Sequence, residues 1–98
     1  MVYHLITPAQ WENWSDSDHY KSPAFGEEGF IHLCTANQLA GVHERYYSHE
    51  KALLLLQINP ELLVPELKWE TATNNELFPH LYGPINKSAI LQVTIPAF

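Results

Sequence analysis

A run of β-branched and aromatic residues, Gly29-Phe30-Ile31-His32-Leu33-Cys34-Thr35, ends on a threonine that is followed three positions later by Gln38. Threonine and glutamine at that spacing form a capping box, which starts a helix and so ends the preceding run as a strand. Alternation sets Phe30, His32 and Cys34 on one face of the strand and Ile31, Leu33 and Thr35 on the other. An imidazole is thereby placed among apolar groups, where a polar atom needs a partner or a ligand. After the cap, Leu39, Val42 and Tyr46 recur at helical spacing.

The start of the chain repeats the pattern. His4-Leu5-Ile6-Thr7-Pro8-Ala9-Gln10 and His32-Leu33-Cys34-Thr35-Ala36-Asn37-Gln38 share His-Leu-x-Thr-x-x-Gln. As a sign of duplication, chance outweighs it. As a geometric rule, it predicts two imidazoles at similar heights on neighbouring strands, beside helix N-termini whose free N–H groups favour an anion. The expected site is a cleft shared by His4 and His32 and bordered by residues 78–84.

The 98 residues make one domain, 1–98, with a single modest core. A hydrophobic content of 46% against 16% charged residues excludes a disordered chain. The net charge of −6, four scattered lysines and one arginine, Arg45, leave no basic stripe, so extended nucleic-acid binding is not expected. A small nucleotide-like molecule stays open as a partner. The single cysteine rules out an internal disulfide, and the N-terminus lacks the pattern of a signal peptide; a cytoplasmic location is the expectation. No apolar run approaches the ~20 residues that span a bilayer, so no membrane partner is expected.

The chain reads in order as a strand over Val2 to Ile6 and a short helix from Pro8 to about Asp16. A turn-rich loop from Ser15 to Gly29 follows, with a short strand around Tyr20 to Phe25. Beyond the central unit, Ala52 to Ile58 is an apolar run consistent with a strand buried on both faces, followed by a helical turn at Pro60 to Leu63. A strand over Leu67 to Thr71 carries Lys68 and Glu70 away from Trp69. Glu76 to Pro84, with prolines at 79 and 84, reads as a rigid aromatic loop, and Ala89 to Ile95 as a last strand with Gln92 and Thr94 outward. The sum is an α+β domain with a mixed, strongly curved sheet and two short helices.

Phosphate-binding loops, dinucleotide fingerprints and paired metal motifs are absent, so any chemistry must come from dispersed residues. His4, His32 and His80 sit amid apolar residues and are the candidates; each singly is as well explained by a core imidazole bonded to a carbonyl. His19, His43 and His49 read as solvated. Arg45 has the shape for a phosphate or carboxylate, against an ion pair with Glu44 or Glu50. Cys34, in an apolar strand, reads as inert. Tyr46, Tyr47, Tyr82, Phe78 and Trp69 suit a planar ligand or simply a core. A zinc or iron site from the three histidines with Glu70 or Glu76 is a weaker reading, because no pair has ligand spacing. A non-catalytic interaction module is the further alternative.

Tyr3-His4, Glu28-Gly29-Phe30-Ile31-His32-Leu33-Cys34-Thr35, Trp69-Glu70 and Glu76-Leu77-Phe78-Pro79-His80-Leu81-Tyr82-Gly83-Pro84 together resemble a small bacterial family of domains of unknown function, DUF952. That family is in turn similar to the ADP-ribosyltransferase superfamily, nearest to the RNA 2′-phosphotransferases. Their strand-borne His-Gly-Thr looks like His4-Leu5-Ile6-Thr7. Their His-x-His-Leu-Ser looks like Phe30 to Cys34, and their Val-Gly-x-Arg looks like Val42 to Arg45. The resemblance implies an ADP-ribosyltransferase-like fold and a pocket for NAD or another ADP-ribosyl compound. It implies His4, His32 and His80 as catalytic residues, and Arg45, Tyr46, Thr35, Glu76 and Tyr82 as ligand-binding ones. With one arginine, the chain departs from enzymes that hold phosphorylated RNA with several.

Overall fold

In the computed structural model, which describes residues 1–14, 19–20 and 25–96, the elements run in the order β1 (Val2–Ile6), α1 (Pro8–Trp14), β2 (His19–Tyr20), α2 (Phe25–Glu28), β3 (Ile31–His32), α3 (Leu39–Val42), β4 (Leu54–Ile58), β5 (Glu66–Thr71), β6 (Leu77–Tyr82), β7 (Ile85–Asn86) and β8 (Ile90–Thr94). The capping pattern works at both places. Thr7 N–H donates to Gln10 Oε1 (3.0 Å) and Gln10 N–H to Thr7 Oγ1 (3.2 Å), while Thr35 N–H donates to Gln38 Oε1 (3.0 Å). After Thr35 a 3-10 turn (Ala36–Gln38), α3 and a π-helical turn (His43–Tyr47) wind on without a break. The C-terminal end expected for α1, residues 15 and 16, and positions 21–24 of the expected short strand lie outside the described residues. Strand β2 and the one-turn helix α2 flank the latter stretch.

Two three-stranded sheets, β1-β4-β8 and β3-β6-β5, carry the core, and β2 pairs with β7. In the first, His4 lies opposite Leu56 and Leu56 opposite Val93. Val2, Ile6, Leu56 and Ile58 are fully buried on one face, but Leu55 and Gln57 on the other are only half-buried, so β4 is sealed on one side rather than two. On β8, Gln92 is exposed as expected, but Leu91 and Val93 are exposed as well, because the strand has only β4 as a neighbour. In the second sheet, Ile31 faces Leu81 and Leu81 faces Leu67, which puts these three toward the core. Trp14, Leu33, Ile85 and Ala89 complete that cluster, each large buried side chain contributing about 1.5–3 kcal/mol.

Three expectations need correction. Every strand pairing among the described residues is antiparallel, and neither three-stranded sheet is strongly curled. β5 and β6 return through a hairpin at Ala72 to Glu76, where Asn74 and Asn75 adopt left-handed φ of 59° and 61°, and the other paired strands, though non-consecutive in the chain, also meet antiparallel. The third correction is the proline-bearing aromatic stretch, which is not a loop but the middle strand β6. Pro79 is tolerated there because its carbonyl accepts from Leu33 N–H (3.0 Å), so its missing N–H points to the same side, just where β3 has ended, and no bond to β5 is lost. The chain leaves β6 through Gly83, where a Cβ would meet Pro65 Cβ at 2.5 Å.

One backbone pairing joins the sheets. Tyr3 N–H donates to Cys34 C=O (2.7 Å) and Cys34 N–H to Tyr3 C=O (2.9 Å). On the far side, buried Asn86 clips two loops together: its Oδ1 accepts from Val64 N–H (2.9 Å), and its Nδ2 donates to Leu62 C=O (2.9 Å) and Ser88 Oγ (2.8 Å). Asn86→Ala should lower stability by about 2–3 kcal/mol, read from urea unfolding, because it strands a backbone donor and acceptor at a buried position.

Candidate functional site

A cavity of about 500 Å³ opens where β1, the Glu28 to Cys34 segment, the helical wall and the β5–β6 hairpin meet. Strand β1 supplies Tyr3, His4 and Leu5, and the central segment supplies Glu28, His32, Leu33 and Cys34. Val42, Tyr46 and Tyr47 come from the helix, Ala72 and Phe78 from the hairpin. Of the helical stripe Leu39, Val42 and Tyr46, the last two face the cavity. The π-helical turn carrying Tyr46 and Tyr47 is a rare geometry that recurs at functional sites.

His4 falls on the core face of β1, between Val2 and Ile6, and is buried. The Tyr3–Cys34 pairing brings the neighbouring backbone alongside, and His4 Nδ1–H donates to the His32 carbonyl at 3.0 Å. Burial lowers the ring's pKa from 6.5 to about 4; the carbonyl bond opposes this, and nearby His32 adds to it. At neutral pH the ring is uncharged, with its proton on Nδ1 and Nε2 as the acceptor nitrogen.

His32, on the opposite face from Ile31, is exposed, and its Nε2 lies 2.5 Å from Glu28 Oε2. Gly29, at φ +78°, turns the chain between α2 and β3 so that residues 28 and 32 meet. Cys34 is buried, and burial pushes its thiol up to about 12, so the expected inertness holds. Burial likewise raises Tyr47, with smaller contributions from Cys34 and Glu50.

A second cluster stands beside the first. His80, paired directly with His32 across the β3–β6 ladder, is buried, and its Nδ1–H donates to Glu70 Oε1 at 2.9 Å. Tyr82 O–H donates to the same oxygen at 2.5 Å. The bonds from Tyr82 and then His80 hold the Glu70 carboxyl below the usual range, and the same carboxylate raises the Tyr82 phenol. Phe30 stacks on His80 with centroids 4.2 Å apart and an angle of 21°, and touches His32 at 4.8 Å.

Of the residues expected at a site, the cavity brings together His4, His32 and Tyr46. His80 does not line it but contacts His32, ring to ring at 5.0 Å. Thr35 caps its helix, Glu76 lies 3.5 Å from Gln38 Nε2, and Tyr82 bonds Glu70; none of the three is in the lining. Arg45 is also outside it, exposed, with its guanidinium carbon 5.9 Å from the Tyr46 ring, and it is in none of the ion pairs among the described residues. The metal reading is not supported: among the described residues, no three His, Cys, Asp or Glu are grouped to hold an ion. The sequence offers Glu70 beside the histidines only as a metal ligand and reads Glu28 as solvated, so it names these acids without pairing them to their imidazoles. Glu28 is legible in retrospect from its spacing to His32, whereas Glu70 needed the β5–β6 hairpin, which the loop reading of residues 76–84 hid.

His4 and His32 both border the cavity, but not from one face as their equal offsets from a cap predict: in the antiparallel Tyr3–Cys34 register His4 lies across from Leu33 on the core face, whereas His32 lies across from Leu5 on the opposite, exposed one.

Fold and cavity define a small α+β protein with a ligand-sized space flanked by imidazoles. The chain belongs to the family described as protein of unknown function DUF952, whose profile matches residues 5–93. It is similar to protein CC0527 from Caulobacter crescentus: to its crystal structure at 27% identity and a TM-score of 0.88, covering 96% of this chain and 83% of that one. The solution NMR structure of CC0527 matches at 28% identity and a TM-score of 0.78, over 95% and 81% of the two chains. A search of curated proteins finds no match. None of these similarities names an ADP-ribosyltransferase, so that likeness rests on the sequence motifs alone.

The pKa of His4 makes a pH dependence. The unfolded ring binds a proton near 6.5 and the folded ring near 4, so its contribution to stability is complete above pH 6.5 and is lost as pH falls through 4. The loss amounts to about 3 kcal/mol. Between pH 7 and 4, wild type should therefore lose about that much more stability than His4→Gln, which keeps a donor for the His32 carbonyl; chemical denaturation at each pH measures it.

Proposed function

We propose that this protein binds a small molecule made of a planar base and a ribose, NAD or another ADP-ribosyl compound, with the base between the aromatic rings of the cavity. One observation carries the reading: a space of ligand size in which a neutral imidazole, His4, and an imidazole backed by a carboxylate, His32 with Glu28, meet Tyr46, Tyr47 and Phe78. His4 Nε2, an acceptor at neutral pH, suits a hydroxyl or amide donor. The Glu28 carboxylate disfavours anions inside, so the phosphates lie at the rim, where Arg45 stands beside Tyr46.

In this reading NAD supplies an anomeric carbon from which nicotinamide can leave. His32, with Nε2–H on Glu28, keeps Nδ1 as a base able to take the proton of an incoming hydroxyl. The sequence likeness to ADP-ribosyltransferases supports the ligand class, and the single arginine supports a small molecule over phosphorylated RNA.

Titration of ¹⁵N-labelled protein with NAD, ADP-ribose and nicotinamide riboside tests this. Saturable shifts are expected at His4, His32 and Tyr46, with affinity at least tenfold weaker in Tyr46→Ala. Arg45→Ala should weaken the two phosphate-bearing ligands and leave the riboside unchanged. No shifts at millimolar ligand would overturn the reading in favour of a non-catalytic interaction module.

A further inference from the structure

We propose that Phe30 is a displaceable cover and that His80 beneath it is a second ligand-contacting group, accepting a hydrogen bond through Nε2 from a neutral hydroxyl such as that of a ribose. The inference rests on the cavity reading above and extends it across His32 to the outer face of the second sheet.

His80 is only 4% exposed, and its Nδ1 proton is committed to Glu70, so Nε2 carries the lone pair. That nitrogen is buried and has no hydrogen-bond partner among the described residues. Buried polar atoms are nearly always partnered, and an unpartnered one costs about 1–3 kcal/mol. Filling space between strands would be done more cheaply by a leucine. The rest of the arrangement has no role in filling space: Glu70 Oε1 takes both the Nδ1–H and the Tyr82 hydroxyl, which fixes the ring plane and its tautomer. Glu70 is thus a positioning residue for His80.

What lies over the ring is Phe30, stacked at 4.2 Å. It is half-buried, belongs to no strand or helix and is held by ring contacts with His80, His32 and Tyr82, and it follows Gly29, whose missing Cβ permits the φ of +78° and other backbone angles. Phe30 also rests against His32, which lines the cavity, so a swing of this one ring would join His80 to the ligand space. The ligand group must be a neutral donor, because Glu70 stands behind the imidazole and Glu28 is bonded to the neighbouring His32, and both repel an anion.

Two measurements decide it. Carbethoxylation of His80 by diethyl pyrocarbonate, followed by peptide mass spectrometry, should be at least tenfold faster in Phe30→Ala than in wild type, and intermediate in Phe30→Leu, with the rate at His4 unchanged. Equal rates in all three would show that Phe30 is not the cover and would overturn the proposal. Long-range ¹H–¹⁵N spectra of the histidine rings should show His80 as the Nδ1–H tautomer, with Nε2 moving upfield when ADP-ribose saturates the protein. Glu70→Ala should mix the tautomers and weaken ADP-ribose, and Glu70→Gln, which keeps an acceptor oxygen, should restore both. Ligand-induced shifts at His4 and His32 with none at His80 would overturn this inference and leave the cavity reading standing; shifts at no imidazole would overturn both.

Discussion

Two hydrogen bonds between Tyr3 and Cys34 hold the sheets together, and the cavity follows from them. An antiparallel residue pair that exchanges both bonds locks register as firmly as a longer ladder does at that point. Here the lock sets His4 beside the carbonyl of His32. Without that carbonyl, a buried Nδ1 would lack its acceptor, and the neutral imidazole would have no reason to sit on the core face of β1 among Val2, Ile6 and Leu56. Sheet joining, cavity wall and the tautomer of His4 are consequences of one backbone contact.

The second sheet divides its two faces by simple alternation. Ile31, Leu81 and Leu67 point to the core, while the row His32, His80 and Lys68 points outward, with Glu70 and Tyr82 close enough to bond across. Phe30 then covers the middle of that polar row, which is why His80 is buried although it is on the outer face. Imidazoles backed by carboxylates occur on both sides of Phe30, as His32 with Glu28 and His80 with Glu70. A carboxylate behind each ring fixes its tautomer and orientation.

Charge shapes the functional reading as much as geometry does. The chain carries a net −6 and one arginine, and the carboxylates lie next to the imidazoles rather than away from them. In the proposed reading such a site favours neutral donors and planar, weakly charged groups and leaves phosphate to a rim position. The family and the similar structures of CC0527 support the fold without naming a ligand, so the weight of the proposal lies on the side chains themselves.

Much of this was legible in one dimension. Local signals are short-range, so the capping pairs Thr7–Gln10 and Thr35–Gln38, the strands read at 2–6, 52–58 and 67–71, close to the observed bounds, and the turn at Asn59-Pro60 could be read from spacing and residue type. The three imidazoles stood out because a polar ring in an apolar run needs a partner. The partners themselves were decided by tertiary structure. Glu70 meets His80 only once the β5–β6 hairpin forms, and a proline in its centre argued against that strand until the end of β3 explained why the missing donor does no harm. The antiparallel meeting of β1 with Cys34 was likewise invisible, because the repeated His-Leu-x-Thr pattern carries distance along the chain and no direction across it. By itself, then, the sequence determined which imidazoles were candidates; the long-range pairing of strands decided that His4 and His80 are buried, that His32 is exposed, and which groups share a site.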